Sequence, residues 1–81
     1  MHIRRLKKAQ LLRLGRRIQR ARKLWGFSDA GLAAECGLDK DYFCQIECGG
    51  QDVLFSELCE ICEVLRCDIA EVTKGIPHVP A

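Results

Sequence analysis

The stretch FSDAGLAAECGLDKDYFCQIECG, residues 27–49, decides the fold. Ser28 offers an N-cap for a short helix whose inner face carries Leu32 and Ala33, and Gly37 stops it. Asp39 caps the next helix, in which Phe43 and Ile46 stand three apart and point inward, and Gly49-Gly50 closes it. Only Gly37-Leu38-Asp39 separates the two. A glycine there permits a left-handed turn, and Leu38 is expected to tuck beneath the pair. This spacing sets the second helix across the first and leaves its outer face open.

Upstream, Leu14, Ile18, Ala21 and Trp25 fall at i, i+4, i+7 and i+11 and predict one face of a first helix that Gly26 ends. Leu6 and Leu11 extend the same pattern backwards. Downstream, Leu54, Leu58, Ile61 and Leu65 repeat that spacing, although Val53-Leu54 supplies no polar N-cap. Asp68 with Glu71 three residues on forms a capping-box pattern for a last short helix over residues 68–74, stopped by Gly75. Five helices and no alternating strand pattern define an all-α bundle. The expected division is a basic N-terminal arm or helix extension at residues 1–13, a folded domain at 14–75 and a tail at 76–81.

With 81 residues, 48% of them apolar and 30% charged, the chain has room for one domain with a thin core. Its apolar runs are too short to span a bilayer, and its N-terminus lacks a secretory pattern, so a cytoplasmic location is expected. The net charge of +2 conceals a strong asymmetry. Residues 1–23 hold ten Lys or Arg and no acid, whereas residues 24–81 hold three bases against eleven acids. Such a block is either a solvated face or an arm for phosphate.

The six cysteines, Cys36, Cys44, Cys48, Cys59, Cys62 and Cys67, are expected to be reduced and metal-free. The pairs at 44/48 and 59/62 lie within predicted helices, whereas a zinc ribbon or finger needs a knuckle-like turn. Cys36, Cys62 and Cys67 are explained as small core fillers. A thiol switch at Cys44 and Cys48 is the functional alternative for that pair. His2 and His78 sit in terminal segments away from any acid, base or nucleophile pattern, so neither enzymatic activity nor a cofactor is expected.

From Leu14 to Val72 the chain resembles the five-helix DNA-binding domains of the phage lambda and 434 repressor type, the Xre family. The matching segments are LGRRI (14–18), GFS (26–28), GLAAECGL (31–38), YFCQIECG (42–49), LCEICEVL (58–65) and DIAEV (68–72). The resemblance implies a helix-turn-helix whose third helix enters the major groove of double-stranded DNA, in a homodimer. It implies that Lys40, Asp41 and Gln45 face bases, and that Ser28, Asp29, Cys48 and Gly50 approach the DNA backbone. It places Arg4, Arg5, Lys7 and Lys8 where lambda-type repressors carry an arm around DNA. It also places an Arg and a Glu at Arg22 and Glu47, which are expected to form a partly buried ion pair.

Two features of the residues themselves stand beside this. Residues 28–52 hold six acids and one base, so a phosphate lattice would repel that face. A protein-interaction module using the acidic third helix, or the basic arm, is the alternative function. Asp39 is explained as a cap and Asp41 either as first-turn dipole complement or as an acceptor from a cytosine amino group. Ile69, Val72 and Ile76 exceed what a short terminal segment is expected to bury, which makes them the candidate dimer interface.

Overall fold

The computed structural model describes residues 8–76. Five helices follow in order: α1 Lys8–Leu24, α2 Asp29–Glu35, α3 Lys40–Glu47, α4 Phe55–Leu65 and α5 Ile69–Thr73. The fold is the all-α, five-helix, lambda-repressor-like arrangement, with no strand element among the described residues. Residues 8–13 belong to α1, so the helix crosses the boundary expected at residue 13 and the helix-extension alternative describes them. Arg4, Arg5 and Lys7 lie outside the described residues, as does the tail from residue 77.

Caps act where the sequence places them. Ser28 Oγ accepts from Gly31 N–H at 2.9 Å, Asp39 Oδ2 from Asp41 and Tyr42 N–H at 3.0 and 3.2 Å, and Asp68 Oδ1 from Ala70 N–H at 3.0 Å. The turn at Gly37 has φ +69°, and Leu38 N–H donates back to Ala33 C=O at 2.8 Å, which aims α3 across α2. Phe43, Leu14, Ile18, Leu32, Leu58, Ile61 and Leu65 fill the centre.

Four residues depart from what the sequence predicts. Trp25 is 54% exposed, because α1 ends at Leu24 and the chain turns away before the fourth contact of the apolar face can form. Leu54 is the N-cap of α4 instead of an interior residue, and its neighbour Val53 is buried in its place. Val72 and Ile76, expected at a dimer interface, are 5% and 6% exposed within a single chain. The fold brings α5 against α1 and α4, and the short terminal segment thereby finds enough cover. Arg17 secures this end from a distance, donating to the carbonyls of Val72 at 2.9 Å and Lys74 at 2.6 Å.

The missing polar cap of α4 is supplied by its third residue. Glu57 Oε1 accepts from Leu54 N–H at 3.1 Å and from the Tyr42 hydroxyl at 2.6 Å, joining α3 to α4. Tyr42 Oη also lies 3.4 Å from Asp52 C=O. Burial first, then the hydrogen bond to Glu57, push the Tyr42 phenol up to about 12. A raised pKa means that the protonated form is favoured by folding. This contribution is complete below the ordinary value near 10 and is lost as pH rises through about 12. The alkaline decline in unfolding free energy should therefore be shallower in Tyr42→Phe than in the parent chain. Parallel denaturant-derived profiles between these pH values would contradict the assignment.

Candidate nucleic-acid interface

The exposed face of α3 is set by how its other face is held. Gly15 on α1 meets the end of α3 so closely that a Cβ there would overlap the carbonyl oxygens of Ile46 and Glu47. Glycine is needed here for proximity, not for an unusual φ. Beside this crossing, Arg22 Nε donates to Glu47 Oε2 at 2.7 Å and Nη2 donates to Oε1 at 3.3 Å. A third guanidinium bond reaches Phe27 C=O at 2.9 Å, so one side chain ties α1, the α1–α2 turn and α3 together. Both residues are buried, at 9% and 8% exposure, and the fork geometry satisfies the charges in place of water.

With Phe43, Ile46 and Glu47 turned inward, Lys40, Asp41 and Gln45 are exposed on α3, and Cys48 and Gly50 are exposed just beyond it. Among the described residues, the side chains of Lys40, Asp41 and Gln45 make no hydrogen bond or ion pair within the chain. They remain available to a ligand. Ser28 is exposed but its hydroxyl caps α2. Asp29 is more committed than its sequence position suggests. Its Oδ1 accepts from Ala30 N–H at 2.7 Å, and its Oδ2 accepts from Cys44 Sγ at 3.4 Å. The bond from Ala30 and then that from Cys44 hold the Asp29 carboxyl below its usual range, and burial followed by Asp29 pushes the Cys44 thiol up. Asp29 thus joins the start of α2 to α3.

The charge pattern changes once these bonds are counted. Glu47 is neutralised by Arg22, and Asp39 and Asp29 are occupied by helix-start N–H groups. Of the basic block, Arg17 and Arg22 are structural, whereas Lys8, Arg13, Arg16, Arg20 and Lys23 are exposed along α1. Lys8 is the one member of the expected basic arm that is described. Sequence reasoning missed Gly15, Arg17, Tyr42 and Glu57. A glycine inside an otherwise strong helical pattern was the available signal for the first; Arg17 and Tyr42 act through contacts distant in sequence, whereas Glu57 reaches Leu54 only three residues back. All six cysteines are free, and among the described residues no group of three His, Cys, Asp or Glu is disposed to hold a metal ion. Nor is any described helix long and apolar enough to cross a membrane.

These features define a helix-turn-helix domain with its second helix open to a ligand. Its structural neighbours are regulators of the Xre and lambda-repressor type. The restriction-modification controller protein C.AhdI from Aeromonas hydrophila is 28% identical with a TM-score of 0.76, over 79% of this chain and 97% of that one. SinR, the master regulator for biofilm formation, solved in complex with DNA, is 29% identical with a TM-score of 0.72, over 75% of this chain and 98% of that one. The clp gene regulator ClgR from Corynebacterium glutamicum, at 24% identity, shares the fold with a TM-score of 0.75 over 78% of this chain and 67% of that one. No family model and no curated protein sequence matches the chain.

The α1–α3 crossing should dominate stability. Removing one partner of the buried pair, as in Glu47→Gln or Arg22→Met, should cost about 3–5 kcal/mol in urea unfolding. Gly15→Ala should cost about 1–3 kcal/mol by forcing the helices apart. Losses below about 0.5 kcal/mol for these variants would show that the crossing is not a constraint.

Proposed function

We propose that the chain is a sequence-specific DNA-binding transcriptional regulator that sets α3 in the major groove and works as a cytoplasmic homodimer, without enzymatic activity. The observation that carries this reading is the outer face of α3, where Lys40, Asp41 and Gln45 are exposed and uncommitted while the inner face is locked. The likeness to SinR, solved in complex with DNA, supports it. Gln45 suits a bidentate contact to adenine, Asp41 an amino group of cytosine, and Lys40 either guanine or phosphate. Ser28, Asp29, Cys48 and Gly50 lie where the backbone is approached, with Asp29 positioning α2 against α3 through Cys44. Phosphate neutralisation falls to the basic block, including Arg4, Arg5, Lys7 and Lys8 and the exposed cations of α1. A contact between copies would draw on Ile69, which is only partly buried, and on the exposed Leu24 and Trp25.

A second reading has its own support. Glu35, Asp39, Asp41 and Asp52 are all exposed around α2 and α3, with Lys40 as the one base between residues 28 and 52. That surface suits a basic protein partner.

Titration of a labelled random-sequence duplex at low and moderate salt separates the two readings. Binding should weaken steeply with salt, and deletion of residues 1–8 should lower affinity for every duplex and flatten the salt slope. Asp41→Asn should strengthen non-specific binding by removing a charge that phosphate repels. On a selected site, Gln45→Ala should lose about 1–3 kcal/mol of discrimination at one base position. If neither the parent chain nor Asp41→Asn retains any duplex at low salt, the DNA reading fails and the acidic face is the docking surface.

A further inference from the structure

One cluster plays no part in the DNA-facing surface. Cys59, Cys62 and Cys67 line a shallow groove with Glu63, Asp68 and Ile69, where α4 gives way to α5. Helices α1, α2 and α3 are each followed by a glycine at positive φ, but α4 ends on Arg66 at φ 53°. Cys67 N–H then donates back to Cys62 C=O at 3.0 Å. In a helix ending of this kind, the two residues joined by that bond commonly touch through their side chains, usually as an apolar pair. Here the pair is two free thiols that line the same groove. Cys62 is 4% exposed, whereas Cys67 is half-buried and open to the groove.

We infer that Cys62 and Cys67 form an oxidisable dithiol, a site for thiol–disulfide exchange with small disulfides. Cys67, the reachable thiol, gives its proton to solvent and its thiolate attacks one sulfur of R–S–S–R. A mixed disulfide forms on Cys67 and the first RS⁻ leaves. Cys62 then gives up its proton, its sulfur attacks that of Cys67, and the second RS⁻ is expelled. The two protein thiols lose two electrons together, and the small disulfide gains them as two thiols. Burial and then the neighbouring Cys67 push the Cys62 thiol up, which suits the resolving step better than the first attack. Glu63 and Asp68 make the groove acidic, so it favours a cationic disulfide over an anionic one. The exposed Arg66 side chain does not line it. The new bond would close a small ring across the left-handed turn and fix α5 against the end of α4.

The test uses the reduced full chain, incubated at low salt with cystamine or with glutathione disulfide, followed by thiol blocking. Trypsin cuts after Arg66 and so places Cys62 and Cys67 in separate peptides, 41–66 and 67–74. Non-reducing mass spectrometry should find these peptides joined, with the link assigned to Cys62 by fragmentation. The joined pair should persist in Cys59→Ser and vanish in Cys67→Ser or, if that variant loses helicity by circular dichroism, in Cys67→Ala. Cystamine should act about threefold faster or more, with the advantage shrinking as salt is added. The inference is overturned by any of four results: no joined pair, a link through Cys44, Cys48 or Cys59, a Cys59–Cys62 bond within one peptide, or equal rates for the two oxidants.

Discussion

The close crossing of α1 and α3 at Gly15 is the constraint on which the rest of the domain depends. Two helix backbones approach there without an intervening side chain, and Arg22 with Glu47 fixes their relative rotation. A buried charge pair adds little net stability compared with an apolar pair of similar size, but it penalises misalignment heavily because either charge left alone is costly. Since Arg22 also holds Phe27 C=O, the same guanidinium orients the turn that begins α2. The direction of the outer face of α3 follows from these contacts.

The acidity of that face is partly absorbed by the fold. Carboxylates that sequence counting treats as equivalent have different tasks: Glu47 answers an arginine, Asp39 and Asp29 answer helix-start N–H groups, and Glu57 starts α4 and accepts a hydrogen bond from the Tyr42 hydroxyl. Asp41 is left as an exposed carboxylate on the α3 face with no such task among the described residues. Charge at a binding surface is therefore better judged from uncommitted groups than from composition. The basic block divides in the same way, with Arg17 and Arg22 serving the core and the remaining cations of α1 facing solvent.

Local signals carried most of the fold. Caps at Ser28, Asp39 and Asp68, stops at glycines and 3.6-residue spacing are short-range properties, and they placed all five helices. What they could not reveal depends on residues far apart in sequence. The Tyr42–Glu57 bond, made to the carboxylate that caps α4, spans α3 and α4, and Arg17 reaches carbonyls more than fifty positions away. Trp25 fitted the periodicity of α1 but fell beyond its end, where periodicity has no meaning. Val72 and Ile76 suggested an interface because their own segment is short, yet the packing of α5 against α1 and α4 supplies the missing cover. At the candidate site, the identity of the exposed α3 residues was legible, whereas the commitment of Asp29 to Cys44 was not.

The central claim is that the locked inner face of α3 leaves its outer face to meet DNA. Backbone amide chemical-shift mapping of the isotopically labelled chain, titrated with duplex at low salt, tests it most directly. The largest shifts should fall on Lys40, Asp41, Gln45 and the start of α2, with Phe43 and Ile46 little affected. Shifts confined to α1 and the basic N-terminal residues, with α3 unperturbed, would contradict it.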